Sequence, residues 1–134
     1  MGKDVETLIK KVMDCAIEVR RILSSGYLEK VYENALMIEL ESAGLKARCQ
    51  QPISVLYKGH VIGEFSTDII VDDCLVLELK AVENLKDAHE LQLVNYLTAL
   101  GIDDGLLINF GNSDKIQIKR KYRVYSPRTT KQKT

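Results

Sequence analysis

The sequence predicts one α+β (or α/β) domain in which helices cover both faces of a β-sheet. Three observations carry this expectation. A chain of 134 residues has enough material for one hydrophobic core but not for two. The spacing of its apolar residues switches from helical to alternating and back, in the order α, α, β, β, β, α, β, β. The run CLVLELKA, Cys74 to Ala81, is apolar on both faces for most of its length, as a strand between two helical layers must be.

The elements follow in order. From Val5 to Leu23 the residues Leu8, Val12, Ala16, Val19 and Leu23 recur at helical spacing, and Ser24-Ser25-Gly26 breaks the pattern. A second helix is expected from about Leu28 to Ser42. It carries Val31, Tyr32, Ala35, Leu36 and Leu40 on or near one face, and Gly44 is placed to end it. The next segment is rich in Val, Ile, Tyr and Phe, with turn signals at Lys58-Gly59-His60 and Asp72-Asp73. It predicts three antiparallel strands near 46–57, 61–71 and 74–81, with Pro52 marking an edge or a bulge. Asn84 is a candidate cap for a helix from Leu85 to Leu100 packed through Ala88, Leu91 and Leu97, with Gly101 just past its end. GLLINF (Gly105 to Phe110) and the alternating KIQIKRKYRVY (Lys115 to Tyr125) supply two further strands.

Composition bounds the function. Apolar residues make up 46% and charged residues 28%, both ordinary for a globular protein. No apolar run approaches the roughly 20 residues that span a bilayer. The start MGKDVETLIKKVMDC contains acidic residues and lacks the apolar core of a signal peptide, so the expectation is a cytoplasmic protein without membrane contact. Cys15, Cys49 and Cys74 are odd in number and widely spaced. That argues against a disulfide framework or an all-cysteine metal site, and predicts reduced, mostly buried thiols. Neither His60, in a turn, nor His89, expected on an exposed helix face, supports a histidine-based mechanism.

A net charge of zero conceals an asymmetry. Eight of the nineteen basic residues follow Asp114, where there is no acid. They are Lys115, Lys119, Arg120, Lys121, Arg123, Arg128, Lys131 and Lys133. Such an end can reach for phosphates or simply be solvated. The expected organisation is a folded domain over 1–125 and a flexible basic tail over 126–134.

The charged end of CLVLELKA is the feature that needs a reason. Alternation puts Leu75, Leu77 and Leu79 on one face and Val76, Glu78 and Lys80 on the other. Asp68, on the preceding strand, shares a face with Glu78 only for certain turn lengths. A two-residue turn at Asp72-Asp73 leaves Asp68 opposite Leu77, whereas a three-residue turn over 72–74, or a bulge, brings the two carboxylates together. At about 4 Å they repel by roughly 4 kcal/mol at an effective dielectric of about 20. Such a pair raises a pKa or recruits a cation, and two hard oxygen ligands are the minimal Mg²⁺ site. Lys80 then provides a cation near a substrate phosphate. The bland reading of these residues is a cross-strand salt-bridge cluster.

Further motifs extend the pattern. Asp68 followed by Glu78-Leu79-Lys80 resembles the signature of the PD-(D/E)XK nuclease superfamily, with Thr67 where the name has proline. Gln92 and Tyr96 form QxxxY, similar to the branch containing helicase-associated and phage exonucleases. GxxExxY (Gly26 to Tyr32), QxPIxVxYKG (Gln50 to Gly59) and LLINFG (Leu106 to Gly111) resemble the small bacterial and archaeal family named for GxxExxY. The likeness spans about residues 8 to 124.

The resemblance implies a restriction-endonuclease-like αβββαβ core, with a mixed sheet flanked by helices on both faces. It implies Mg²⁺ or Mn²⁺ held by Asp68, Glu78 and the Leu79 carbonyl, with Glu29 completing the shell and Glu33 as a lesser stand-in. Lys80 would orient or activate the attacking water, and Gln92 and Tyr96 would support the site and substrate. Tyr32 fits the apolar stripe and reads as a core residue with a satisfied hydroxyl. The expected function is hydrolysis of nucleic-acid phosphodiesters, DNA before RNA, with a homodimer or protein partner enlarging the binding surface. The alternatives are a non-cleaving nucleic-acid-binding or assembly module on the same fold, and a structural protein with a salt-bridge cluster.

Overall fold

Asp4 starts the first helix by accepting the Glu6 N–H on its carboxylate at 3.1 Å. In the computed structural model, which describes residues 4–124, helix α1 spans Val5–Leu23 and α2 spans Glu29–Ser42. Strands β1 (Ala47–Tyr57), β2 (His60–Val71) and β3 (Leu75–Lys80) follow, then α3 (Asp87–Leu100), β4 (Asp104–Asn109) and β5 (Gln117–Tyr122). The five strands form one mixed sheet in the order β1-β2-β3-β4-β5. The first three are an antiparallel meander, α3 crosses over to set β4 parallel to β3, and β5 returns antiparallel. Pro52 lies on the edge strand, where its missing N–H costs no ladder bond.

The two turns of the meander differ in length. Lys58 and Gly59, both at positive φ, make a two-residue connection of the kind that matches strand twist. Between β2 and β3, Val71 pairs with Leu75, so three residues, 72 to 74, form the turn. Asp72 and Asp73 adopt φ of 52° and 59° there, and the Asp72 carboxylate accepts the Lys46 N–H at 2.9 Å. This odd count is the one that brings Asp68 opposite Glu78.

Two cores lie on opposite faces of the sheet. Ile69, Val71, Leu75, Leu77, Leu79, Leu106, Ile108 and Phe110 pack with α1 and α2, while Ile70, Val76 and Leu107 pack with Leu93 and Leu97 of α3. Helix α3 therefore does not pack as its sequence suggests. Leu93 and Leu97, one turn apart, form its buried stripe, whereas Leu91 is 61% exposed and Ala88 is exposed. In α2, Val31 is 39% exposed and Glu33 is buried in the stripe with Tyr32, Leu36 and Leu40.

Asn84 does not cap α3. The position before the helix is Lys86, whose N–H is taken by His89 Nδ1 at 3.0 Å, while the stretch before it is tied to the β4–β5 loop through Glu83 and Asn112. Of the thiols, Cys15 is buried, Cys74 half-buried and Cys49 exposed on the edge strand.

The basic strand β5 is tied to the acidic body. Lys119 and Lys121 both donate to Glu90, Arg120 joins Glu6 and Asp104, and Arg123 pairs with Asp103. Arg128, Lys131 and Lys133 lie outside the described residues, as does the expected tail over 126–134. Among the described residues no helix is long and apolar enough to cross a membrane.

Candidate active site

The β2–β3 ladder pairs Val71 with Leu75 and Ile69 with Leu77. At the next position side chains take over from backbone. The Asp68 N–H donates to Glu78 Oε1 at 3.0 Å, and the Leu79 N–H donates to Asp68 Oδ2 at 2.7 Å. Each carboxylate spends one oxygen on the opposite strand's backbone, which fixes both side chains where the strands diverge.

The electrostatics of this pair are unfavourable in the free protein. Glu78 is only 5% exposed, and burial, followed by repulsion from Asp68, pushes its pKa up to about 8. Asp68 is raised too, chiefly by burial, although the Leu79 N–H, Lys80 and a hydrogen bond with Gln50 all favour its ionised form. Glu29, in the first turn of α2, is raised by burial and then by Asp68. Lys80 is half-buried at the end of β3, and its Nζ donates to Gln92 Oε1 of α3 at 3.0 Å. One turn further along α3, the Tyr96 hydroxyl is raised by burial and by the charges of Glu78 and Asp68.

Asp68, Glu78, Lys80, Glu29, Gln92 and Tyr96 thus share one electrostatic neighbourhood, with the Leu79 backbone between the two central carboxylates. The donor set is of hard oxygens short of positive charge, with Glu78 buried, Asp68 half-buried and Glu29 toward solvent, and this fits a divalent cation. Among the described residues, no three His, Cys, Asp or Glu side chains converge closely enough to hold an ion by themselves. Glu29 is therefore a neighbour of the central pair, not part of a preformed cage. Glu33 is 3% exposed and already satisfied, by Lys30 Nζ at 2.8 Å on one oxygen and Gln50 Nε2 at 3.0 Å on the other.

Tyr32 is a core residue. It is fully buried, stacks on Phe110 at 4.7 Å, and its hydroxyl donates to the Ser24 carbonyl while accepting the Tyr27 N–H. His89 is half-buried, not exposed as expected. Its Nδ1 is occupied by Lys86, and burial, then Lys80 and Lys86, depress its basicity.

Two further residues brace the site without matching a catalytic pattern in the sequence. Asn109 is fully buried in β4; it accepts the N–H groups of Val82 and Gly111 and donates to the Val82 carbonyl and to Gln117. A Cβ on Gly111 would lie 2.5 Å from the backbone of Ala81 and Val82, so this glycine lets the chain press against the exit of β3, directly after Lys80. An asparagine inside the apolar run LLINF was the available signal. Gln50 is the other, and its signal was the first position of QxPIxVxYKG.

Comparison with known proteins gives a family and a fold. The model of the PD-(D/E)XK nuclease superfamily matches residues 6–121. The crystal structure of SSO0001 superposes with a TM-score of 0.59 at 20% identity, over 75% of this chain and 52% of that one. The chain thus spans about half the length of that structure, and the likeness is one of fold. No curated protein matches the sequence.

Proposed function

Since the chain belongs to the PD-(D/E)XK nuclease superfamily, whose substrates are nucleic acids, we propose that it is a divalent-metal-dependent nuclease that hydrolyses phosphodiester bonds, in DNA before RNA. The observation that carries this reading is the Asp68–Glu78 pair, opposed where β2 and β3 part, with Glu78 buried, Asp68 half-buried and both short of positive charge. Within the superfamily we assign it to the GxxExxY group on the motifs from Gly26 to Tyr32, Gln50 to Gly59 and Leu106 to Gly111.

Asp68, Glu78 and the Leu79 carbonyl would hold Mg²⁺ or Mn²⁺, with Glu29 completing the shell. A bound dication polarises the scissile phosphate and makes water acidic enough to attack near neutral pH. Lys80 orients the water and faces the negative charge that develops on the phosphate. Gln92 holds the Lys80 ammonium through their 3.0 Å bond, and Tyr96 borders the pair. The acidic body offers little surface to grip a duplex, which favours a homodimer or protein partner, and the expected compartment is the cytoplasm. The alternative of a non-cleaving binder working through the region from Lys115 onward loses support from the ion pairs that occupy Lys119, Arg120, Lys121 and Arg123.

The test is cleavage of labelled single- and double-stranded DNA with Mg²⁺ and with Mn²⁺, wild type beside Lys80→Ala. Cutting by the wild type alone supports the nuclease; metal binding without cutting by either protein points to a missing partner or substrate, and neither cutting nor metal binding favours the non-cleaving module.

A further inference from the structure

We propose that Gln50 is a positioning residue of the metal centre: its carboxamide braces Asp68 against Glu33 without neutralising either carboxylate. This inference rests on the nuclease reading and goes beyond the residues that reading uses.

The backbone supplies the first observation. The β1–β2 ladder pairs Cys49 with Ile69 and Gln51 with Thr67, and Gln50 stands between them, across from Asp68, at φ 54°. No turn requires a left-handed residue in mid-strand, and a non-glycine residue held there marks a position that the surroundings over-determine.

The side chain supplies the second. Gln50 Nε2 donates to Glu33 Oε1 at 3.0 Å, Gln50 Oε1 accepts from Ser66 Oγ at 3.0 Å, and the carboxamide's place across the ladder from Asp68 lets it favour the ionised form of that carboxylate. Lys30 takes the other Glu33 oxygen at 2.8 Å, so Glu33 is an anchor with a donor on each oxygen.

The chemistry explains why the brace is an amide. A lysine or arginine between two carboxylates would hold both, but its charge would compete with a dication. A hydroxyl has one hydrogen to give. A carboxamide has two N–H donors and no charge, so it can separate the carboxylates while leaving their negative charge for the metal.

Mn²⁺ titration by calorimetry and thermal melting in chelator test this together. Gln50→Gly removes the brace and allows the backbone its φ freely. Gln50→Asn tolerates the same φ but is one methylene too short to reach. For both we expect Mn²⁺ affinity to fall by about 10- to 100-fold while the melting temperature in chelator stays the same or rises. In a Glu33→Gln background, where the like charge is gone, Gln50→Gly should weaken binding by less than about threefold.

Affinity within about twofold of wild type in both variants overturns the brace, as does a melting temperature that falls in step with affinity, or an undiminished loss in the Glu33→Gln background. If wild type binds Mn²⁺ and Glu78→Ala does not, the metal centre stands whatever Gln50 does. If wild type binds none, the nuclease reading fails and the brace fails with it.

Discussion

Glu90 and Glu78 both sit near lysines, and their circumstances are opposite. Glu90 receives Lys121 on one oxygen at 2.8 Å and Lys119 on the other at 2.9 Å, and these bonds strengthen its acidity. Glu78 has a second carboxylate across from it, little solvent, and in Lys80 a cation that Gln92 also holds. Its acidity is weakened accordingly. The same residue types make a finished ion-pair cluster in one place and an unfinished one in the other. The basic strand completes the first, and a soluble dication would complete the second.

The largest effect expected from this contrast is on catalysis. Glu78→Ala and Lys80→Ala should each lower metal-dependent DNA cleavage by at least about 10²- to 10³-fold, and Glu90→Ala should cut at the wild-type rate. Equal losses in all three, measured on labelled DNA, would erase the distinction.

Next in size is the response to metal and pH. The proton on Glu78 is held more tightly in the folded protein, where its pKa is about 8, than at the ordinary 4.5. Its stabilising contribution is therefore complete below about pH 4.5 and is lost as pH rises through about 8. Asp68 and Glu29 shift in the same direction. The melting temperature in chelator should fall over this window, and Mg²⁺ at about 100 times its Kd should restore about 2.7 kcal/mol at about pH 8.5 and less at about pH 6. A Mg²⁺ effect independent of pH would place the ion elsewhere.

Two substitutions then sharpen the contrast through opposite signs. Glu78→Gln keeps an acceptor for the Asp68 N–H while removing the buried charge, so in chelator near pH 8 it should stabilise the protein by about 1 kcal/mol in urea unfolding. Glu90→Gln should destabilise it by less than about 1 kcal/mol, and salt should shrink the effect.

Much of this arrangement was legible in the sequence, for identifiable reasons. Helix α1 has one clean apolar stripe, so its limits follow from periodicity. The charges at the far end of an otherwise apolar strand required an odd turn, and the β2–β3 turn has three residues. Helix α3 was misread at Leu91 because apolar residues, Ala88, Val94 and Ala99 among them, occur around most of its circumference, so spacing alone did not single out the face of Leu93 and Leu97. The ion pairs of β5 were not legible because Arg120 meets Glu6 from the opposite end of the chain. Gln50 was visible only as the first position of QxPIxVxYKG, and its role was not legible because a left-handed φ in a non-glycine strand residue is imposed by tertiary contacts, not by residue type.

The Asp72-Asp73-Cys74 turn makes the site sensitive to arithmetic at a distance. Since side chains alternate along a strand, inserting or deleting one residue there would slide β3 by one place and turn either Asp68 or Glu78 away from the other. A change of two would return both carboxylates to one face but leave them two residues, about 6.6 Å, out of step along the strands. A family built on this hairpin should therefore keep the pairing of Val71 with Leu75, and a slide of either size would silence the protein while leaving every site residue in its sequence.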